Sequence, residues 1–314
     1  MPDTTADIGI IGGSGLYNLP ELTSVRSVRV PTPFGEASEE LTLGVLGGRK
    51  LAFLPRHGRG HRLSPTHIPY RANIYALKSI GVRQVISLSA VGSLREEYAP
   101  GHLVIPDQLV DRTRGSRASS FFTDGIVAHV PFASPFCDRL RPLASQAAMA
   151  AGATTHQGGV YCCMEGPQFS TRSESELYRA WGADVIGMTA APEAHLAREA
   201  ELCYVTVAMV TDYDCWRPGD ETVTADAVAA VMARNVELAR ATIAALVHAV
   251  DTAAECSCQH ALANAILTDL RHGHCAVQAK EALLIGKYLP GSAASTSPAA
   301  PRLLPSGHAP SASG

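Results

Sequence analysis

Two acidic residues lie two positions apart at the end of a long apolar stretch. Asp212 and Asp214 follow residues 202–210, which predict a buried strand. Residues two apart on a strand point to the same side, so both carboxyl groups should face one site. Paired carboxyls can divide their roles, because one with a raised pKa donates a proton while the other accepts hydrogen bonds. A solvated acidic turn is the alternative, and no further acid or His cluster favours a metal pair.

Three other predicted strand ends carry groups suited to an anion. Ser14 lies in a glycine-rich turn whose backbone N–H groups could cradle a phosphate. Arg56 offers a planar fork of donors, and His57 can donate or accept. Ser89 and Ala90 form a small-residue loop that leaves room for a ligand. A plain turn is the alternative at each place, but ligands of α/β sheets bind at the carboxyl ends of strands, which favours one common site.

The glycine-rich turn itself, GGSG at 12–15, fits neither of two well-known nucleotide motifs. No Gly-Lys-Ser/Thr follows, so it is not a P-loop. The third glycine of a dinucleotide fingerprint is missing, and so is the acid about 20 residues further on. This disfavours an NAD-binding oxidoreductase.

Two more strand ends could hold a flat base and a sugar. Phe169 and Ser170 follow a Glu-Gly-Pro turn, and the Phe169 ring could stack on a heterocycle, although a core position is the commoner fate of Phe. Met188 could form a soft apolar wall against a sugar, with core filling as its alternative. Thr189 adds a hydroxyl for phosphate or sugar.

The elements that must position these residues alternate between short β-rich runs and helical patterns, which is typical of an α/β fold. Predicted strands cover 8–11, 41–45, 50–54, 85–88, 102–105, 159–164, 184–188 and 202–210. Predicted helices cover 70–80, 137–151, 173–181, 193–200, 224–247 and 258–270. Ser173 and Glu176 fit a capping box for the third of these helices.

Composition excludes several functional classes. The chain has 314 residues, of which 46% are apolar and 18% charged, and its net charge is −3. Sparse charge favours a large core and buried subunit interfaces, and the lack of a basic stripe argues against nucleic acid as a partner. The apolar runs are too short for a membrane span, and Asp3 stands where a signal peptide needs bases. We therefore predict a cytoplasmic protein with no membrane partner.

The motifs also occur in an order that resembles the trimeric purine nucleoside phosphorylase family, and within it the members that cleave methylthioadenosine. The resemblance runs from about Ile8 to Leu284. Its pieces are IGIIGGSGL at 8–16, RHGR at 56–59, AVGSLREE at 90–97, EGPQFSTR at 165–172, WGADVIGMT at 181–189 and TDYDCW at 211–216.

This resemblance implies a single α/β domain over residues 1–289, with a mixed, partly closed β-sheet flanked by helices. It implies a homotrimer with each site near a subunit interface. The implied reaction is phosphorolysis of methylthioadenosine to adenine and 5-methylthioribose 1-phosphate, with phosphate as co-substrate and no metal or organic cofactor. Residues 290–314, rich in Ser, Ala, Pro and Gly, are predicted to be a disordered tail.

The resemblance also implies a role for each matching residue. Ser14, Arg56, His57, Ser89, Ala90 and Thr189 would bind phosphate, and Met188 would lie against the ribose. Phe169, Ser170, Asp212, Tyr213 and Asp214 would line the purine site, with Asp212 as the catalytic acid. His129 would reach the neighbouring subunit's 5′-substituent pocket, which Ala225 and Val228 would help to line. Ala225 is smaller than the Val common there, so bulkier 5′ groups could fit.

Two other functions are compatible with this fold. A broader purine nucleoside phosphorylase acting on adenosine, inosine or guanosine is the nearest, but an ionised Asp214 would repel the O6 atom of a 6-oxopurine. The set of phosphate-binding groups argues against a nucleoside sensor without activity.

The eight cysteines predict reduced, buried thiols in a cytosolic chain. No Cys-x2-Cys pair occurs, so a zinc ribbon is not expected. Cys256 and Cys258 stand one residue apart, and some relatives from hot environments hold such pairs as disulfides. We expect free thiols at both positions.

Overall fold

A computed structural model of the chain describes residues 4–12, 19, 21–123, 125–217, 224–268 and 283–288. The predicted tail, residues 290–314, lies outside the described residues. Within this part of the chain the strands are β1 (Ile8–Gly12), β2 (Thr23–Val28), β3 (Leu41–Leu46), β4 (Arg49–Pro55), β5 (Gln84–Ser93), β6 (Leu103–Ile105), β7 (Gln108–Asp111), β8 (Thr155–Gln157), β9 (Val160–Cys163), β10 (Val185–Gly187) and β11 (Cys203–Asp212). The α-helices are α1 (Tyr70–Ser79), α2 (Leu140–Ala150), α3 (Arg172–Ala180), α4 (Ala190–Glu199) and α5 (Ala225–Ala249).

The strands form one mixed sheet that branches at β5. Along one path the order is β2-β3-β4-β1-β5-β10-β9-β7, and β11, β6 and β8 continue from the other edge of β5. Parallel pairs join β4, β1, β5 and β11, whereas β10 meets β5 antiparallel. The predicted α/β domain with a mixed sheet flanked by helices is confirmed.

The central strands are buried on both faces, which explains their unbroken apolar sequences. Helices α1 and α4 pack together on one side, where Ile74, Leu77 and Leu196 share a core cluster. Helices α2 and α5 pack together on the other side, where Leu140 and Leu246 join a second cluster. No helix among the described residues is long and apolar enough to cross a membrane.

The parallel register brings several predicted site residues to one edge of the sheet. Gly12 at the end of β1 pairs with Pro55 at the end of β4, and the Arg56 N–H donates to the Gly12 carbonyl at 3.0 Å. Asp212 at the end of β11 pairs with Gly92 of β5, after a bulge that follows Val210. The carboxyl ends of β1, β4, β5 and β11 therefore lie side by side.

Two sequence predictions about helices are wrong. The capping box of α3 uses Thr171 and Glu174, not Ser173 and Glu176, because the sequence contains two overlapping Thr/Ser-x-x-Glu patterns and the helix begins at the first. The predicted helix 258–270 is a short 3-10 helix, Ser257–His260, followed by turns as far as the described residues continue.

Candidate active site

At the end of β11, the acidic segment, residues 212–214, folds back over Gly92 of β5. One oxygen of Asp212, Oδ1, accepts the Asp214 N–H at 2.8 Å, and Oδ2 accepts the Thr211 hydroxyl at 2.7 Å. Asp214 has a φ of 51°, so it lies in a turn beyond the strand. A Cβ atom on Gly92 would lie 2.9 Å from Asp212 Oδ1 and 3.3 Å from the Asp214 Cβ. The two acids therefore lie close together, as expected. The cause is the turn after β11, and not the alternation of side chains along a strand.

Burial raises the pKa of both carboxyls. The hydrogen bonds from Thr211 and from the Asp214 N–H act the other way and lower the pKa of Asp212. The Ser175 and Ser170 hydroxyls likewise lower the pKa of Asp214, by less than burial raises it. The Asp214 Oδ2 atom is buried and has no hydrogen-bond partner among the described residues. An unpaired buried acceptor is costly, so this oxygen is suited to a ligand N–H.

The loop between β9 and α3 closes over the same segment. The Cys215 thiol donates to the Ser170 carbonyl at 3.2 Å. The Phe169 side chain is 41% exposed, so the alternative that it is a core residue is wrong. Tyr213 donates its hydroxyl to the Glu96 carbonyl at 3.2 Å, which holds the acidic segment to the loop after β5. These contacts place Phe169 and Ser170 beside the two acids.

Met188 packs against the backbone of this loop. A Cβ atom on Gly166 would lie 2.5 Å from the Met188 sulfur, and Gly166 has a φ of 69° that favours glycine. Close approach of the two segments therefore depends on glycine at 166. Met188 is half-buried, which leaves part of its side chain free to contact a ligand.

Arg117 organises this region, and no sequence motif singled it out. Its guanidinium donates to the carbonyls of Glu165, Met188 and Ala191 at 2.7–2.8 Å and to the Tyr70 hydroxyl at 3.0 Å. Its Nε donates to the Glu165 carboxylate at 3.1 Å. It joins the loop after β9 to the segment after β10, so it positions both walls of the site.

The Arg56 fork is turned toward the protein interior. Nε and Nη2 form a bidentate ion pair with Glu193 at 2.8 and 3.0 Å, and Nη2 also donates to the Ser87 hydroxyl. Nη1 donates to the Leu88 carbonyl at 2.9 Å. These four bonds use four of the five N–H donors of the guanidinium. The sequence predicted a fork open to phosphate, whereas the structure shows mainly a buried clamp between β4, β5 and α4.

Unpaired hydroxyl groups lie close to this clamp. The Ser89 and Tyr161 hydroxyls are buried and have no hydrogen-bond partner within the described part of the chain. The Tyr161 ring also lies against Gly187, where a Cβ atom would be 2.0 Å from its hydroxyl. Thr189 is a buried residue, and its side chain makes no capping bond to α4. Unsatisfied donors of this kind suit an oxyanion, and Tyr161 is an addition that the sequence did not predict.

His57 is held in its neutral form with a defined tautomer. Its Nδ1 lies 2.8 Å from the Leu63 carbonyl, which can only accept, so Nδ1 carries the proton. Burial lowers the pKa of His57 to about 4, with the positive charge of Arg56 acting in the same direction and the Leu63 carbonyl opposing it. The remaining nitrogen, Nε2, is therefore a hydrogen-bond acceptor. The His57 ring stacks on the His61 ring, with 4.0 Å between their centroids.

The other predicted residues are less closely tied to this site. Ser14 lies outside the described residues. The predicted loop at Ser89 and Ala90 is wrong, because β5 continues to Ser93 and both residues pair with β11. Ala90 is half-buried there, opposite Met209. His129 is exposed, and its backbone N–H donates to the Ala265 carbonyl at 2.8 Å.

Ala225 and Val228 lie in the first turn of α5, exposed and half-buried respectively. No described contact joins them or His129 to the acids, so their place in a 5′ pocket stays a prediction.

Comparison with known proteins places this geometry in a family. The phosphorylase superfamily model matches residues 7–248. An S-methyl-5′-thioadenosine phosphorylase of Geobacter sulfurreducens is 53% identical over 282 residues, covering 90% of this chain and 99% of the relative. One from Koribacter versatilis is 56% identical over 283 residues, covering 90% and 97%.

Solved structures agree. A methylthioadenosine phosphorylase from an Antarctic soil metagenomic library superposes with a TM-score of 0.84 at 46% identity, covering 91% of this chain and all of that one. A variant of the adenosine/methylthioadenosine phosphorylase of Schistosoma mansoni, in complex with methylthioadenosine, gives 0.73 at 35% identity, covering 79% and 93%. The chain therefore belongs to the phosphorylase superfamily and, within it, to the S-methyl-5′-thioadenosine phosphorylase family.

Proposed function

We propose that the protein catalyses phosphorolysis of S-methyl-5′-thioadenosine, releasing adenine and 5-methylthioribose 1-phosphate in methionine and purine salvage. Inorganic phosphate is the co-substrate, and neither an organic cofactor nor a catalytic metal takes part. The observation that carries this proposal is the buried, unpaired Asp214 Oδ2 next to the half-buried Asp212. Residues 1–289 form the catalytic domain.

At the purine end, the two acids divide the work. The Asp212 carboxyl is half-buried, and its pKa, raised by loss of solvent, favours a proton that it can share with N7 of the leaving adenine. Asp214 Oδ2 accepts from the 6-amino group, which a 6-oxopurine lacks. Phe169 stacks on the base, and Ser170 borders it. Adenine then leaves without the full charge of an anion.

At the other end, phosphate is held as the nucleophile below C1′ of the ribose. The hydroxyls of Ser14, Ser89 and Thr189, the Ala90 backbone and the fifth N–H donor of Arg56 bind its oxygens. The neutral His57 Nε2 accepts a hydrogen bond from the hydroxyl of hydrogen phosphate and stays unprotonated. Met188 covers the sugar, which becomes cationic as the bond to adenine breaks, and fixed orientation of the two reactants lowers the barrier.

We further propose a cytoplasmic homotrimer. The exposed His129 would reach across a subunit boundary to the 5′ pocket, next to Ala225 and Val228 of the neighbouring copy. The small Ala225 side chain would leave room for 5′ groups larger than methylthio.

One assay tests the reaction directly. Purified protein is incubated with methylthioadenosine, adenosine or inosine, with and without phosphate, and the free base and sugar phosphate are quantified by mass spectrometry. We expect phosphate-dependent adenine release, fastest from methylthioadenosine. Adenosine is included because relatives from Schistosoma mansoni are named adenosine/methylthioadenosine phosphorylases. Faster cleavage of inosine would favour the broader purine nucleoside phosphorylase, and no release from any substrate would contradict the proposal.

A further inference from the structure

Four cysteines from three separate segments meet at the end of the sheet remote from the paired acids. We propose that Cys137, Cys203, Cys256 and Cys258 form a structural zinc site. Their sulfur atoms all lie within 4.8 Å of one another. Cys137 precedes α2, Cys203 is the first residue of β11, and the other two flank Ser257 after α5. The sequence singled out the close spacing of Cys256 and Cys258 but did not indicate that Cys137 and Cys203 join them.

The distances fit a tetrahedral metal site. A zinc–sulfur bond is about 2.3 Å, so the sulfur atoms at the corners of a ZnS4 tetrahedron are about 3.8 Å apart. The Cys137 and Cys256 sulfurs are 3.6 Å apart, and all four thiols are free in the structure. Disulfide-bonded sulfurs would be about 2.05 Å apart. Four soft thiolates in a tetrahedron favour zinc over the hard cations.

The surroundings of the cluster suit four thiolates. Cys137, Cys203 and Cys258 are buried, and the half-buried Cys256 gives an ion a way in. The Leu140 N–H, at the start of α2, donates to the Cys137 carbonyl at 3.1 Å, and so does the Arg141 N–H at 3.0 Å. These bonds fix the backbone that carries the Cys137 sulfur, and such bonds around a metal site orient its ligands.

Arg139 supplies a positive charge at the same place. Its guanidinium lies beside Cys203 and Cys256. The Nε and Nη2 atoms are buried and have no hydrogen-bond partner in the described ranges, while Nη1 donates to the Asp251 carbonyl at 3.2 Å. A zinc ion with four thiolates carries a net charge of −2, which this cation partly offsets, and its unpaired donors would then face sulfur acceptors.

The position of the cluster assigns it a structural role. Cys203 and Asp212 are the first and last residues of β11, ten residues that extend over about 30 Å. All four corners of the tetrahedron are cysteines, so no position is open for a substrate or water. A bound zinc would fasten the entry to α2 and the segment after α5 to the start of the central strand.

The test is metal binding by the full-length, reduced protein. The protein is reduced, treated with chelator, supplied with zinc, freed of excess metal and analysed by mass spectrometry for bound metal. We expect about one zinc per chain.

Titration with cobalt should give the sulfur-to-cobalt charge-transfer band and the visible bands of a tetrahedral site. Cys203→Ser should reduce binding to near zero, and Cys256→Ser, at the half-buried position, gives the same test with less risk to folding.

Cys162→Ala is the matched control, because Cys162 is buried outside the cluster and should leave the stoichiometry unchanged. Zinc should also raise the Tm of the unsubstituted protein and not that of Cys256→Ser. Metal content well below one per chain in the reduced protein, without the cobalt charge-transfer band, would overturn the proposal. Stoichiometric iron in the isolated protein would overturn the choice of zinc. Disulfides found before reduction do not affect this readout, since reduction opens them.

Discussion

At the scale of single residues, charge and hydrogen bonding set what each group at the site can do. The pKa values of Asp212 and Asp214 are raised, whereas the His57 pKa is lowered. The proposed purine end therefore has carboxyls that take up a proton more readily than in water, and the proposed phosphate end holds a neutral imidazole. This asymmetry matches a reaction that protonates the leaving group and keeps the nucleophile anionic.

Substitution of Asp212 tests the acid at N7. We expect Asp212→Asn to lower kcat/KM for methylthioadenosine about 100-fold, because an amide cannot supply the proton. Activity on inosine should fall less, since an amide can donate a hydrogen bond to O6. The ratio of the two activities, measured by base release, checks this assignment. Asp138→Asn, at an exposed acid, is the control, and an unchanged ratio in Asp212→Asn would mean that Asp212 does not have this role.

The neutral state of His57 makes a prediction about pH. Because the His57 pKa in the folded protein is about 4, its imidazole should stay neutral down to that pH in an NMR titration. The unfolded chain binds a proton at this residue near pH 6.5. The His57 contribution to stability is therefore complete above about pH 6.5 and is lost as the pH falls toward 4.

The role of His57 at phosphate gives a separate prediction. His57→Ala should raise KM for phosphate about tenfold, the loss of one hydrogen bond to a charged ligand, and change KM for methylthioadenosine little. His61→Ala, which removes only the stacked neighbour, is the control. Equal increases in the two KM values would place His57 elsewhere in the mechanism.

At the scale of elements, the carboxyl ends of strands carry the site and loops complete it. Parallel register between β1, β4, β5 and β11 aligns their ends. Arg117 then fixes the loops after β9 and β10 to one another. Helix α3, which follows the loop with Phe169 and Ser170, holds the far end of that loop.

The capping box of α3 provides a test within one turn of helix. Thr171 accepts the Glu174 N–H, and Glu174 accepts the Thr171 N–H. We expect Thr171→Ala to lower the free energy of unfolding by about 1 kcal/mol, as loss of an N-cap does. Ser173→Ala, at the position of the overlapping sequence pattern, should change it by much less. Denaturant unfolding of both variants measures this difference. Equal losses in the free energy of unfolding would contradict the assignment of Thr171 as the N-cap.

At the scale of the whole molecule, one sheet separates the proposed active site from the cysteine cluster. The residues proposed to bind phosphate and the two acids lie toward the carboxyl ends of strands, and the cysteine cluster lies at the start of β11. The exposed surface that carries His129 is the place where a second copy would complete the 5′ pocket.

Assembly is tested by substitution at that surface. Light scattering of the purified protein should give the mass of a trimer. We expect His129→Ala to raise KM for methylthioadenosine about tenfold with KM for phosphate unchanged, because the residue would meet only the 5′ group. His260→Ala, at another exposed histidine, is the control. A monomer with full activity would contradict both the trimer and this role.

Much of the site could be predicted from the sequence, because its signals are local. A buried strand followed by hydroxyl or acidic residues is visible in a few consecutive positions, and this pattern predicted Asp212, Asp214 and Thr189. Arg117 carries no such signal, since its partners are far away along the chain. Tyr161 carries none because it lies inside β9. The direction of the Arg56 fork also depends on a remote partner, Glu193.

The sequence by itself determined the α/β class, the order of the strand ends and the kinds of group at the site, because apolar periodicity and turn residues act over short distances. Only the tertiary structure decided which of these groups are paired and which are left for a ligand. Burial gives the two acids and His57 their pKa shifts, and contact across more than fifty residues brings Cys137, Cys203 and Cys256 together. Those properties depend on what surrounds each side chain, and the surroundings come from distant segments of the chain.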